Sequence, residues 1–412
     1  MRLVKPHFYA VLLLVLMLSG SVIAQDVSPT PTEEPTPQLL KVWWPDVLAA
    51  PDNEVVQTLL QSQTDDFASN YDNLTVESRL RRVGTTGGIM STLRTGSLVA
   101  QDGLPTVTLI RRQDLVLAEL AGLLQSMEGL VPSAIQGDLD TALQLGQTNG
   151  ELYGVPYMLE LQHVVYRQSE NLDYSTWSYT DLLTRNQPFV FAAGRDGGLS
   201  DVVLLQYLAA GGRLNREGQL LLNEDALRTT LEFYENASDL GVIDGFTLNF
   251  VTANDYLTAF VEGDYDAGVF TSTQYLELYQ ADNSLQVAPI PTPTGEVTGV
   301  LNGWMWVLIA QEPEQQQLGL DYIMWMLDST NQAEVAQAVH MLPSRRSALA
   351  EGSTGGVDID PFINLLDNAI LPITESDGGA LARTMQDALS SVLTTERTAE
   401  AAIEYVLDQQ TE

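Results

Sequence analysis

Between residues 40 and 110 short apolar runs alternate with amphipathic ones, and this alternation constrains the fold more than any other feature of the sequence. Residues 40–44 read as a strand closed by Pro45-Asp46. Residues 54–71 read as a helix capped by Asp52 or Asn53, with Val55, Val56, Leu59, Leu60 and Phe67 on one apolar face. Residues 76–83 then read as a strand, 89–98 as a helix and 107–110 as a third strand. A β-α-β-α-β order predicts a parallel, doubly wound sheet. Such sheets bind ligands beyond the carboxyl ends of their strands, which brings Trp43, Trp44, Asp46, Arg111 and Arg112 near any site.

A second block of the same kind begins at Leu152. It continues through the strand-like residues 189–193, an apolar-faced helix over 226–240 and the strand-like residues 267–270. Residues 288–293, Ala-Pro-Ile-Pro-Thr-Pro, form a proline-stiffened extended crossing. A strand rich in large apolar residues follows over 303–310, then a helix containing Leu318, Tyr322, Ile323 and Met326. From Pro361 onward the pattern is helical, with Leu381, Met385, Ala388, Leu389 and Val392 on one face. No internal repeat is present.

The ends of the chain carry different information. Residues 1–24 place Arg2 and Lys5 before an apolar run and finish in small residues, Val22-Ile23-Ala24, as a cleavable secretory signal does. The run is too brief for an ordinary membrane span, although retained it would act as a short anchor. Residues 25–38 are rich in Pro and Thr and predict an extended, disordered spacer. The chain has no cysteine, so no thiol follows the signal to carry a lipid. An exported protein, extracellular or held at the cell envelope, is expected.

Charge and missing residue types narrow the function. The chain has 54 acidic and 19 basic residues, a net charge of −35, which repels nucleic acid and anionic lipid and suits a solvated exported surface. Past the signal there is one lysine, Lys41, and two histidines, His163 and His340. Cysteine nucleophiles are impossible; no GxxxxGK[ST] or GxGxxG is present, and neither histidine neighbours a GxSxG elbow. Zinc sites of His and Cys fail for want of ligands. Gly84-Thr-Thr-Gly-Gly88 is read as a tight turn rather than an anion site. The acidic pairs 138/140, 264/266 and 358/360 match no EF-hand loop and read as turns and solvated faces. No cofactor and no metal are expected.

Nine segments then occur in a telling order. They are WWPD at 43–46, GELYGVPY at 150–157, HVVYR at 163–167, STWSYTDLL at 175–183, QYLAAGG at 206–212, AFVEGDYDAGVF at 259–270, PIPTPTG at 289–295, GWMWVLI at 303–309 and LPSRRSAL at 342–349. Together they resemble the family 1 extracellular solute-binding proteins of ABC importers, the fold group of maltose-binding protein, over nearly the whole chain past the signal. Two departures are the missing lipid-bearing cysteine and Thr106, where the family often has aspartate after proline. The resemblance implies an α/β fold of two lobes, each with a doubly wound, mostly parallel sheet. It puts residues 39–154 and 294–342 in lobe 1 and 155–288 and 344–412 in lobe 2. Hinge crossings are implied near 155–156, 289–293 and 342–343, each marked by proline.

The implied function is capture of a small polar solute, foremost a mono- or oligosaccharide, and its delivery to the transmembrane subunits of an ABC permease by a monomeric, non-catalytic receptor. A sugar offers apolar ring faces and a fringe of hydroxyls, so its site needs aromatic plates together with carboxylate, amide or guanidinium groups. The candidates are Trp43, Trp44 and Asp46, then Tyr157, Glu160 and Gln162, Tyr275, and Asn302, Trp304 and Trp306, with Arg111 and Arg195 as polar contacts. Each has a packing alternative: Trp43 or Trp44 as core, Trp304 and Trp306 as alternate residues on one strand face, Glu160 as a surface charge. Trp177 and Trp325 are assigned to packing. The competing readings are a secreted carboxylate-dependent glycoside hydrolase and the same receptor fold with a polyamine or peptide ligand.

Overall fold

The computed structural model describes residues 37–84, 86–168, 177–195, 198–215, 219–352, 356–372 and 375–411, so the expected signal and most of the spacer lie outside the described residues. Residues 37–412 cluster as a single compact unit. The first strand starts at Gln38, the last residue assigned to the spacer, because its backbone pairs with Asn73 and Leu74.

Nine strands make the main sheet. They are β1 (Gln38–Pro45), β2 (Leu74–Arg81), β3 (Val107–Arg111), β4 (Gly154–Arg167), β5 (Phe189–Val190), β6 (Ala267–Thr271), β7 (Leu285–Ala288), β8 (Val300–Leu308) and β9 (Leu342–Pro343). Their order is β2-β1-β3-β8-β4-β6-β5, and β7 and β9 also pair with β4. The two ends of the sheet are parallel, β2-β1-β3 and β6-β5, as α/β crossovers dictate. The middle is antiparallel, because β4 and β8 run against each other and against β6 and β3 respectively. The result is one continuous mixed sheet rather than two mostly parallel ones. The 14-residue β4 is long enough to pair with β8 along its first half and with β6 and β7 along its second.

Helices cover both faces. We label α1 (Glu54–Ala68), α2 (Ile89–Val99), α3 (Arg112–Leu120), α4 (Asp201–Ala209), α5 (Glu224–Asp239), α6 (Ser272–Ala281), α7 (Pro313–Met326), α8 (Ser329–Ala338), α9 (Asp360–Asp367), α10 (Glu375–Leu393) and α11 (Ala399–Thr411). Asn53 caps α1 by accepting from the Val56 N–H at 3.2 Å. Gly84 and Gly87 take φ of 133° and 73°, a conformation that a Cβ disfavours, and Gly88 then caps α2. Trp177 is buried, and Trp325 donates its indole N–H to the Gln63 carbonyl at 2.9 Å.

Three apolar cores result. One gathers Leu40, Trp44, Tyr157, Met158, Trp304, Trp306 and Tyr322 beneath α1, α7 and α8. A second gathers Val164, Tyr166, Val300, Phe233 and Leu389 beneath α4, α5, α10 and α11. The third, containing Leu159, Leu161, Leu301, Met305, Ile110 and Phe270, runs without a break along the other face of the central strands.

Candidate functional site

Side chains alternate between the faces of a strand, so β4 and β8 can be read face by face. On one face of β4 the order is Met158 in the first core, Glu160 and Gln162 half-buried, then Val164 and Tyr166 in the second core. The same face of β8 reads Trp304 in the first core, Asn302 half-buried and Val300 in the second. Asn302 stands directly opposite Glu160 in the register, and Val300 opposite Gln162. The two cores on this face are therefore separated by a polar strip, while the opposite face carries one continuous core with His163 buried in it. A polar strip cannot be packed dry without matching partners, so the helices above it part and leave room for a guest.

A cavity of about 630 Å³ opens over that strip, within the size range of small-molecule sites. Glu160, Gln162 and Asn302 line it with Arg111 from the end of β3. The other wall comes from segments that follow the carboxyl ends of β5 and β6: Gly194 and Arg195, Ser200 and Asp201 at the start of α4, and Thr271, Gln274 and Glu277 at the start of α6. Thr252 and Asn254 complete it. Thr271 and Gln274 form a reciprocal cap on α6, and the Gln274 amide donates to Asn254 Oδ1 at 2.8 Å. Gly194 has no space for a side chain, since a Cβ there would lie 2.3 Å from the Leu248 carbonyl oxygen.

Two ion pairs line the cavity, beside the carboxylate of Glu277. Arg111 reaches Glu160 at 3.1 Å, their side chains 31% and 18% exposed, and Arg195 bridges Asp201. The Arg111 guanidinium also lies over the Trp304 ring, 4.8 Å from its centroid. A partly exposed ion pair contributes only ~0–1 kcal/mol, so these groups are free to exchange partners with a ligand. The wall thus presents amides, hydroxyls, two ion pairs and the Glu277 carboxylate, suited to a polar solute.

Arg111, Glu160, Gln162, Arg195 and Asn302 are the sequence candidates that meet at the cavity. The six aromatic candidates lie elsewhere. Trp43 is 1% exposed under the Arg81 guanidinium; Trp44 packs edge to face on Tyr157 and Trp306 in the first core, and those two rings are tilted against each other. Tyr275 is buried against His163 and Phe362, its hydroxyl 3.3 Å from the Leu285 carbonyl. Trp304 is 1% exposed beneath Arg111. The correction has a plain cause: the five rings on strands covered by helices, and Tyr275 on the inner face of α6, gain more by burial than by lining a wet cleft. Asp46 is half-buried after β1, outside the lining of the cavity, and Arg112 donates to the Leu145 and Gln147 carbonyls. Among the described residues the aromatic side chains in the lining are Tyr256 and Phe270, themselves buried.

His163 is fully buried, its Nδ1 3.0 Å from the Val164 carbonyl, and burial pushes its pKa down to about 4. It is a packed residue, outside the cavity lining. Among the described residues no group of three or more His, Cys, Asp or Glu side chains is disposed to hold a metal ion.

Sequence reasoning missed Asp201, Asn254, Thr271, Gln274 and Glu277. A signal existed for two of them, because Thr271-x-x-Gln274 directly after an apolar strand is a capping signature, and the carboxyl end of that strand is where a ligand is expected.

The profile of the bacterial extracellular solute-binding proteins matches residues 63–358. The chain belongs to that family. It is a non-catalytic solute-binding protein of an ABC importer, and the family is an exported one. Among solved structures, maltose-bound MalE3 of T. maritima superposes with a TM-score of 0.65 at 17% identity, over 90% of this chain and 98% of the other. The cyclic alpha-maltosyl-1,6-maltose binding protein of Arthrobacter globiformis gives 0.70 at 16%, over 90% and 97%. An extracellular solute-binding protein family 1 member from Alicyclobacillus acidocaldarius gives 0.65 at 16%, over 91% and 98%. At these identities the likeness establishes the periplasmic-binding-protein fold. No curated protein matches the chain.

Proposed function

We propose that this protein captures a mono- or oligosaccharide in the cavity over Glu160, Gln162 and Asn302 and delivers it, as a monomer outside the cell or at its envelope, to the permease of its importer. The polar strip between two cores on one sheet face carries this reading. Its amides and carboxylate match the hydroxyl fringe of a sugar, and Arg111, Arg195, Thr271 and Gln274 extend that fringe to the facing wall. The binders of maltose and of cyclic maltosyl-maltose among the structural neighbours support a sugar over an amino acid or polyamine.

Residues 39–154 with 294–342 act as one lobe and 155–288 with 344–412 as the other. Solute docks on one lobe and supplies contacts to the other, which shifts an open-closed equilibrium toward the form the permease accepts. The crossings near 155–156, 289–293 and 342–343 carry the motion. The continuous apolar face behind the strip suits a hinge, since it holds the halves together while the polar face opens.

A thermal-shift screen over mono- and oligosaccharides, amino acids and polyamines tests the reading. Sugars alone raising the melting temperature, with the rise lost in Asn302→Ala, is the expected result; stabilisation by polyamines or amino acids alone would overturn it.

A further inference from the structure

Beside the sugar cavity lies a second pocket of about 300 Å³, lined by Met90, Arg94, Asp114, Leu117 and Trp304 among others. It combines what the main cavity lacks. Trp304 supplies an indole face, Met90 and Leu117 apolar sides, and Asp114 with Arg94 a charged rim. That is the chemistry a pyranose ring requires: a plate for its C–H face and paired polar groups for its hydroxyls.

Arg111 separates the two spaces. Its side chain lines the sugar cavity, its guanidinium covers the Trp304 ring at 4.8 Å, and Arg111 and Trp304 stand opposite each other in the β3–β8 register. The β3–β8 register runs unbroken here, while on the other side β4 carries an extra residue, Tyr157, between the partners of Trp304 and Met305. The cover is held by the partly exposed pair with Glu160, the ring beneath and the attraction of Asp114. Asp114 reports the same neighbourhood, since burial pushes its carboxyl up while Arg111 and Arg94 draw it back down.

We propose that Arg111 is a displaceable cover over Trp304, and that a disaccharide or longer glycan draws the guanidinium off the ring, its pair with Glu160 kept, and seats its second ring on the exposed indole, between Asp114 and Arg94. The first ring stays over Gln162 and Asn302. Arg111 is then a specificity-determining residue, which sets a preference for linked sugars over single ones. This inference rests on the sugar reading.

Fluorine NMR of protein labelled with 5-fluorotryptophan tests it, with Trp304→Phe assigning the Trp304 resonance among six tryptophans. Without ligand, Arg111→Ala should give that resonance an H2O/D2O isotope shift that the wild type lacks; an unchanged resonance in a variant with native circular dichroism overturns the cover. Wild type is then titrated with glucose and maltose, xylose and xylobiose, mannose and mannobiose. A disaccharide that raises the melting temperature should move the Trp304 resonance while its monosaccharide does not, and Trp304→Phe should weaken that disaccharide about tenfold. A disaccharide that stabilises the protein and leaves the resonance in place overturns the second-ring assignment. If none of the six sugars stabilises the protein, that assignment falls with the sugar reading, and the isotope shift in Arg111→Ala still decides whether the cover exists.

Discussion

Gln162 sits where an apolar side chain would join two cores, so the cleft depends on keeping it polar. Gln162→Leu should raise unfolding stability by up to ~1 kcal/mol in urea titrations while abolishing the sugar-induced thermal shift, because burial improves as the binding strip is lost. The reverse trade applies to Trp306, which is fully buried: Trp306→Ala should cost about 3–5 kcal/mol, read in the same titration. His163 gives a pH signature. Its pKa falls from 6.5 to about 4 on folding, so between those values the unfolded chain binds the proton and the folded one does not. Stability should therefore decline as pH drops from 6.5 toward 4, by roughly 3 kcal/mol in all, and the slope should be smaller in His163→Phe across that window. Residue types were the hardest part of the site to read from sequence. Glu160, Gln162 and Asn302 stand out because a polar residue on a strand that is otherwise apolar needs a reason. Trp43, Trp44 and Trp306 gave no such contrast, since tryptophan serves a core and a sugar plate equally well, and only the helices covering both faces decide between them.

Among elements, the junction of β9 with β4 holds a set of buried polar contacts near a proposed hinge. Gln332, fully buried on α8, donates to the Tyr157 carbonyl at 2.7 Å and to Ser344 Oγ at 2.9 Å, and Ser344 donates to the Pro156 carbonyl at 2.6 Å. Gln332 Oε1 also accepts from the Arg345 N–H at 3.3 Å, so Gln332→Leu strands that N–H and should cost about 1–3 kcal/mol in urea unfolding. The LPSRRSAL segment follows, with Arg345 paired to Asp138 at 2.7 Å and Ser347 accepted by the same carboxylate. Burial alone would raise the Asp138 pKa, but Ser347 and Arg345 outweigh it and hold the carboxyl below its usual range. Periodicity located the elements well. The helix read at residues 89–98 is α2 at Ile89–Val99, and the strand read at 107–110 is β3 at Val107–Arg111. Pairing direction was not legible, because an apolar run shows that a strand is buried without showing which way its neighbours point. That is why β4 and β8 turned two expected sheets into one mixed sheet.

For the whole molecule, a net charge of −35 with few cations to offset it means that folding compresses like charges. Raising sodium chloride from 10 to 500 mM should therefore raise the melting temperature in differential scanning calorimetry, as screening relieves the repulsion. The order of pairing along the chain has another effect. Val107 of β3 has no neighbour on its open side until Leu308 arrives, because β8 is inserted between β3 and β4 from far downstream. The core under Trp44 closes only after β8, α7 and α8 have been made. A nascent chain of this kind stays unable to finish its native structure until most of its length exists, and late completion keeps it threadable through a narrow export channel.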